Sequence, residues 1–376
     1  MEIYREGKSK KICFIFMGNL YLCPYISSYI DNINCKFDVI YWDRDGIEEK
    51  IGAEEYYRFN YNMSTNNSKF YKLVGYVKFK KYAENILTKN NYERVIILQT
   101  SVGILLQKIL IKKYSKRYLM DIRDYTFEKN KLFYILEKRI VNKSSITVIS
   151  SEGYKKFLPP YKYILAHNNR KLDTDKVLYI RKRNKNKNRL VIAFIGNAIY
   201  QEQHKKVLNL FKNDNRFEIR YIGKNSEQLI EFCNENNIKN VKIVGRFKAE
   251  NILDYYNDVD IIDNLYGNNN PYLDYALSNK LYFAAELCIP ILVCKDTFMQ
   301  EVSQKYGLGY TVDLNDLDTP NKLYNYYQNI SWTKFKDGCN KFLEVVERDK
   351  KIYDEKIKKF IELEEKSYEN SDNDIT

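Results

Sequence analysis

The chain is poor in the side chains that most often carry covalent or metal chemistry. Only two histidines occur, His167 and His204, too few for a zinc centre built on imidazole. No serine and histidine are spaced as a recognisable nucleophilic triad. The seven cysteines are scattered, with no Cys-x-x-Cys pair, which fits a reducing cytoplasm. What the sequence offers instead is glycines, amides and charges placed directly after short apolar runs. Gly18-Asn19 follows the first such run, Asp121, Arg123 and Asp124 close the run that begins at Tyr118, and Gly196-Asn197 and Gly245-Arg246 end two more. If the runs are parallel strands, these residues gather at a sheet's carboxyl edge, where open α/β sheets bind ligands. For Asp121 and Arg123 the other reading is a structural ion pair at a strand end.

One stretch suits an anion. Ser278-Asn279-Lys280-Leu281-Tyr282-Phe283 opens a helical pattern that ends at Pro290 before the apolar Ile291-Leu292-Val293. Ser278 or Asn279 would cap that helix. Its unpaired N–H groups, its positive dipole end and the Lys280 ammonium would favour a diphosphate. Two Asp-x-Asp pairs, Asp43-Arg44-Asp45 and Asp258-Val259-Asp260, imitate a metal site. The first lies in a polar turn, and Asp260 is expected to cap or turn the chain before a strand. Gly307-Leu308-Gly309 lacks the third glycine of a dinucleotide fingerprint and precedes a strand. Gly7-Lys8-Ser9 ends like a phosphate loop, but Glu2 stands where the first glycine belongs.

The elements that must position these residues alternate between strand-length apolar runs and amphipathic helical stretches, the pattern of parallel α/β folds. Strands are expected at 11–17, 37–42, 94–99, 118–122, 146–149 and 163–166, with helices at 20–30, 102–113 and 131–141. After a basic stretch too charged to pack, the pattern restarts with strands at 190–195, 218–222, 241–244, 259–262, 291–293 and 310–312. A helix over 341–365 closes it. The domains are therefore 1–168, a linker at 169–189, a second α/β domain at 190–338, and a helix with a polar tail at 339–376. The net charge of +13 divides as +12, +7 and −6 over 1–168, 169–189 and 190–376. Two domains with different partners follow from that asymmetry. The basic half would be drawn to an anionic membrane leaflet, a pyrophosphate-linked acceptor or nucleic acid.

Lys8, Lys10 and Lys11 before the first apolar run imitate a signal peptide, but Gly18-Asn19 and Pro24 interrupt it and no cleavage site follows. No stretch reaches the roughly 18 apolar residues of a membrane-spanning helix, so membrane contact would be peripheral. If 70–87 is helical, Tyr71, Phe79 and Tyr82 share a face flanked by Lys72 and Lys78. Such a face either packs between layers or lies on an anionic bilayer.

The 278–293 stretch resembles the donor-binding domain of GT-B glycosyltransferases, especially the retaining group that builds capsules and O-antigens. Lys295-Asp296-Thr297-Phe298-Met299, Tyr306-Gly307-Leu308-Gly309, Asp121-Ile122-Arg123-Asp124 and Phe14-Ile15-Phe16-Met17-Gly18-Asn19 are similar to that family too. The resemblance implies a GT-B fold, two Rossmann-like domains facing a cleft with a long C-terminal helix. It implies transfer of a sugar from a nucleotide-sugar to a lipid-linked glycan acceptor in bacterial surface polysaccharide synthesis. Lys280, Arg246, Lys205 and Gly196 are the candidates for the diphosphate, and Gly18 and Asn197 for the nucleotide-sugar. Asn279 and Glu286 are candidates for ribose or sugar hydroxyls, and Arg123 and Asp124 for the reacting centre. No cofactor, metal or nucleic-acid partner is expected, and the protein would work in the cytoplasm, at the inner face of the membrane.

Two departures stand out. The family's Glu, seven residues, Glu pair falls here on Tyr275 and Phe283, with Asp274 and Glu286 close by. Many relatives carry a His where Arg123 stands. The rival readings are a partner subunit that keeps the fold without the activity, and a nucleotide-sugar epimerase. The second needs proton-transfer groups that two histidines scarcely supply.

Overall fold

The computed structural model describes residues 12–64, 66–170, 172–182 and 187–362. Gly7-Lys8-Ser9, residues 183–186 of the basic linker and the polar tail from 363 lie outside them. The chain divides into two compact units, one of residues 1–166 with 349–376 and one of residues 167–348.

The first unit is built on seven parallel strands: β1 (Ile12–Phe16), β2 (Phe37–Asp43), β3 (Tyr56–Asn60), β4 (Arg94–Ile97), β5 (Tyr118–Ile122), β6 (Ile146–Ile149) and β7 (Ile164–Leu165). Their order in the sheet is 3-2-1-4-5-6-7. The second unit holds β8 (Leu190–Ile195), β9 (Phe217–Ile222), β10 (Val241–Val244), β11 (Ile261–Asn264), β12 (Ile291–Cys294) and β13 (Gly309–Val312). Their order, 10-9-8-11-12-13, repeats the first six positions of the other sheet. Both are doubly wound sheets whose order reverses beside the first strand, at β1/β4 and at β8/β11. Strands β1, β2, β4, β5, β8, β11 and β12 are buried along their whole length. They therefore read as continuous apolar runs, as strands covered on both faces do.

The sequence missed β3. Tyr-Tyr-Arg-Phe-Asn is an edge strand of half-buried residues, without the apolar run that marks the others. The expected helix at 20–30 splits at Pro24 into a 3-10 turn, Leu20–Leu22, and a short helix, Ile26–Ile30. Part of the linker does pack. Thr174–Lys182 is a helix whose Val177 and Ile180 enter the core of the second unit while its charges face out. Val177 and Ile180 are three apart and share one helical stripe, enough to anchor a segment of high charge. The closing helix begins earlier than expected and runs Trp332–Glu362. Phe335, Cys339, Phe342 and Val346 join the core of the second unit, and Tyr353, Ile357 and Phe360 that of the first.

Of Tyr71, Phe79 and Tyr82 on the helix Lys69–Asn90, Phe79 and Tyr82 lie inward and Tyr71 stays exposed at the rim. Phe79 is buried and stacks on Trp42 with ring centroids 5.5 Å apart, Tyr82 packs on Phe59 at 5.4 Å, and Tyr71 stacks on Tyr61 at 5.0 Å. The packed reading holds for Phe79 and Tyr82. Among the described residues no helix is long and apolar enough to cross a membrane.

Glu137, on the helix Lys131–Lys143, is fully buried, and neither carboxylate oxygen has a hydrogen-bond partner among the described residues. Burial, reinforced by the nearby Glu128, lifts its pKa to about 8. The folded state therefore keeps a proton that the unfolded chain releases near pH 4.5. This contribution is favourable below pH 4.5 and is lost as pH rises towards 8, since the native state then binds the extra proton. Glu137→Gln is expected to raise stability at pH 8 by on the order of 2–3 kcal/mol and to leave it nearly unchanged at pH 5. Urea denaturation at the two pH values reads the difference. Equal effects at both would show that Glu137 is ionised in the fold.

Candidate functional site

At the carboxyl edge of the second sheet three strands end on glycine: Gly196 after β8, Gly223 after β9 and Gly245 after β10. The first two are obligatory. Gly196 has φ +152° and Gly223 φ +129°, and a Cβ on Gly223 would stand 2.0 Å from the Gly196 carbonyl oxygen. The repeated strand-then-glycine pattern was visible in the sequence and could have marked Gly223, which the motif reading passed over. The glycines leave backbone uncovered at the switch point, where a ligand can come close.

Lys280 enters this space. Ser278 caps the helix Asn279–Leu287, its hydroxyl accepting from the Lys280 N–H at 3.3 Å and its carbonyl from the Leu281 N–H at 3.0 Å. Two of the helix's first N–H groups are thus already bonded, so anion affinity here rests mainly on the ammonium and the helix dipole. The Lys280 side chain is almost fully buried. Its Nζ donates to the Tyr266 hydroxyl at 2.5 Å, lies 4.2 Å from the Phe194 ring centroid, and is 3.3 Å from where a Cβ on Gly196 would be. Aromatic faces stabilise a desolvated ammonium without neutralising it, so its charge remains available at Gly196.

Two groups the sequence reading had not chosen lie close to this charge. His204 is buried against Phe194, and neither ring nitrogen has a hydrogen-bond partner among the described residues. Burial, helped by Lys280, pushes its pKa down to about 4, so the ring is neutral at pH 7. Asp263 on β11 is fully buried and accepts from the Leu265 N–H at 2.8 Å. Burial lifts its pKa to about 6, opposed by that N–H and by Lys280. Only its place at a strand's end could have marked Asp263, and the histidine count had set His204 aside.

The other expected donor residues scatter. Asn197 is exposed beside Gly196, its Oδ1 accepting from Asn225 at 2.7 Å. Asn279 is exposed in the first turn of the Lys280 helix, and Arg246 is exposed after β10. Lys205 pairs with Glu202 at 2.8 Å and sits over the Phe232 ring, on the helix Gln201–Leu210. Glu286 lies at the far end of the Lys280 helix, where its carbonyl accepts from Arg181 of the linker helix at 2.6 Å. Phe283, at the position of the family's Glu, is core: it stacks on buried Tyr256 with centroids 5.3 Å apart. Asp260 accepts from the Val191 N–H at 2.9 Å and pairs with Lys187, and Asp258 pairs with Arg220. That Asp-x-Asp pair is therefore structural.

The first unit has a cavity of its own at the carboxyl edge of its sheet, about 350 Å³ in volume. Its lining includes Gly18 after β1, Gln99 and Ser101 after β4, and Arg123 and Asp124 after β5, so it lies at the β1/β4 switch point. Arg123 forms a bidentate pair with Asp121 (Nε–Oδ1 2.6 Å, Nη2–Oδ2 2.8 Å) and donates from Nη1 to the Ala166 carbonyl at 2.9 Å. Its guanidinium also covers the Tyr25 ring at 4.3 Å. Asp121 is fully buried and accepts from the Tyr29 hydroxyl at 2.5 Å. Burial alone would lower the Arg123 pKa, but Asp121 more than reverses it. Of the two readings of Asp121 and Arg123, the geometry supports the ion pair. Asp124 reaches solvent at the cavity mouth, yet the surrounding wall desolvates its carboxyl and raises its pKa. Asp43 organises the loop beside this cavity. Its Oδ1 accepts from the Asn19 amide at 2.8 Å and from the N–H groups of Asp45, Gly46 and Ile47, and its Oδ2 from Arg58. Among the described residues no group of three or more His, Cys, Asp or Glu could hold a metal ion.

Compared with solved structures, the chain aligns along almost its whole length with two-domain sugar transferases. Sucrose-phosphate synthase from Thermosynechococcus elongatus matches at TM-score 0.70 and 11% identity, covering 93% of this chain and 98% of that one. The chain has the GT-B fold. The lipopolysaccharide outer core galactosyltransferase WaaB matches at TM-score 0.64 and 13% identity over 92% and 98% of the two chains. HepE of Anabaena, solved with UDP and glucose, matches at 0.60 and 11% over 93% and 100%. No protein-family profile and no curated protein sequence matches the chain. The GT-B fold thus persists where sequence identity has fallen to about a tenth. That is the divergence expected when a fold needs only buried strands and glycines at the sheet edges.

Proposed function

We propose that the protein is a glycosyltransferase that moves a sugar from a nucleoside-diphosphate sugar to a lipid-linked glycan acceptor in the synthesis of a bacterial surface polysaccharide. The observation that carries this reading is the buried Lys280 ammonium, held by Tyr266 and Phe194 against the open backbone of Gly196. In transfer, the bond between the sugar's anomeric carbon and the diphosphate breaks and a bond to the acceptor oxygen forms. The diphosphate leaves with the electron pair, and Lys280 with the dipole of its helix neutralises the growing charge. The acceptor's proton is proposed to pass to Asp124, whose carboxyl burial makes a stronger base than an ordinary aspartate. The first candidate for the base is uridine, because similar structures hold UDP or a UDP-glucose analogue. Lys280 supplies the charge neutralisation for which other transferases use a metal, so the reaction is proposed to be metal-independent, at the cytoplasmic face of the membrane.

One observation favours a second reading, a partner subunit that keeps the fold without the activity. Phe283 occupies the position of the family's Glu and belongs to the core, so no carboxylate stands there to hold a ribose. A thermal-shift panel with UDP, GDP, CMP and TDP, with and without EDTA, separates the readings. One nucleotide is expected to raise the melting temperature equally with and without EDTA, since a ligand bound only by the native state stabilises it. A shift abolished by EDTA would end the metal-independent reading. No shift with any nucleotide would favour the inactive subunit.

A further inference from the structure

Besides Tyr21, Leu22, Ile47, Tyr71 and Ile352, six of the large apolar side chains exposed on the first unit fall into two groups. Phe70, Leu73 and Val77 lie on the helix Lys69–Asn90, and Phe127, in the loop that leads to Lys131–Lys143, groups with Leu132 and Ile135 at that helix's start. Phe70 is 75% exposed, Leu132 64% and Phe127 63%. Phe70, Leu73 and Val77 are spaced three and four apart and form one stripe, separate from the inward face that carries Phe79. Both helices cover the same face of the sheet, since Phe79, Ala83 and Ile140 share one core with Cys13, Ile15 and Ile97. They follow β3 and β5 of a parallel sheet, so each amino end returns to the carboxyl edge. Strands β3 and β5 are four positions apart, which separates the two groups by roughly 19 Å. The cavity at the ends of β1, β4 and β5 opens at that same edge.

The charges on the two segments themselves are mostly positive, although Asp45, Glu48 and Asp124 are exposed in the loops that follow β2 and β5 at the same edge. Residues 69–83 contain five lysines and no Asp or Glu. Between 127 and 139 the only carboxylates are Glu128 and Glu137, and both are buried, while Lys129, Lys131, Lys138 and Arg139 are exposed. Apolar side chains flanked mainly by cations fit a surface that is apolar inside and anionic outside. Pairing with the same face of a second copy would set lysine against lysine.

We infer that this edge of the first unit docks on an anionic phospholipid bilayer, with Phe70, Leu73, Val77, Phe127, Leu132 and Ile135 entering the acyl boundary and the lysines meeting the headgroups. The docking requires no nucleotide-sugar and stands apart from the transfer reading. An acceptor carried on a lipid would meet the cavity at the bilayer surface.

Co-sedimentation of the full chain with phosphatidylcholine vesicles, with and without phosphatidylglycerol, tests it. The protein is expected to pellet with the anionic vesicles and to be released only in part by high salt. Phe70→Asp/Leu73→Asp and Leu132→Asp/Ile135→Asp change exposed positions and should melt like the parent, and each should lower vesicle partitioning by about tenfold or more. Lys69→Gln/Lys81→Gln, which leaves the apolar stripe intact, should weaken binding to anionic vesicles and flatten its salt dependence. The inference is overturned if the parent fails to pellet with anionic vesicles, or if the apolar variants pellet as well as the parent. It is also overturned if light scattering shows a dimer that the apolar variants dissociate while vesicles capture neither form.

Discussion

Replacing Arg123 with alanine is expected to lower the stability of the first unit by about 3–5 kcal/mol. The reason lies in what the change leaves behind. Asp121 is fully buried, and its partners are the Arg123 fork and the Tyr29 hydroxyl. Without the guanidinium a carboxylate would remain in low dielectric with one neutral donor, and the Tyr25 ring would lose the cation that covers it. A loss of that size is a large fraction of the 5–15 kcal/mol typical of a folded domain. Arg123→Ala combined with Asp121→Leu should recover much of it, because removing both charges also removes the desolvation cost. Urea denaturation of the single and double variants measures the coupling. A single variant that melts like the parent would show that the pair is not structural. If transfer per folded molecule then falls, Arg123 would return to the reacting centre.

The second large effect concerns Lys280. Lys280→Met keeps the volume and removes the charge, and it should weaken nucleoside-diphosphate binding by about 10- to 100-fold, the worth of one charge-assisted hydrogen bond. Isothermal titration with the nucleotide that stabilises the parent reads this directly. The same variant has a readout that needs no ligand. Lys280 helps hold down the pKa of His204, so in Lys280→Met that value should rise from about 4 towards the ordinary imidazole range. The chain has only two histidines, so NMR titration of the ring protons can follow His204 individually. Unchanged His204 titration together with unchanged nucleotide affinity would remove Lys280 from the site.

A displaced Lys280 charge also has a consequence for stability against pH. The His204 pKa is depressed in the fold, so the unfolded chain takes up a proton that the native state refuses. Stability from this group is complete above the unfolded value of 6.5 and falls as pH drops towards 4. Lys280→Met should soften that acid limb.

The strands were legible because a strand covered on both faces must be apolar throughout, whatever its partners. The runs at 118–122, 190–195 and 291–293 announced themselves for that reason, as did the glycines that end β8 and β10. Ser278 was legible as a cap because a helix start needs a side-chain oxygen locally. β3 was not, since an edge strand needs only one half-buried face. The role of Arg123 was open in the sequence, because a charge at a strand end is the same letter whether it faces a substrate or a buried carboxylate. In the fold Asp121 from its own strand, Tyr25 and Tyr29 from one distant segment and the Ala166 carbonyl from another surround the pair. Lys280 was chosen by type and spacing, but its burial between Phe194 and Tyr266, and the neutral His204 beside it, depend on side chains from three different elements. Local rules fix which residues start, end and line the elements. The environment that tunes a charge is made of groups distant in sequence, and only the folded chain brings them within reach.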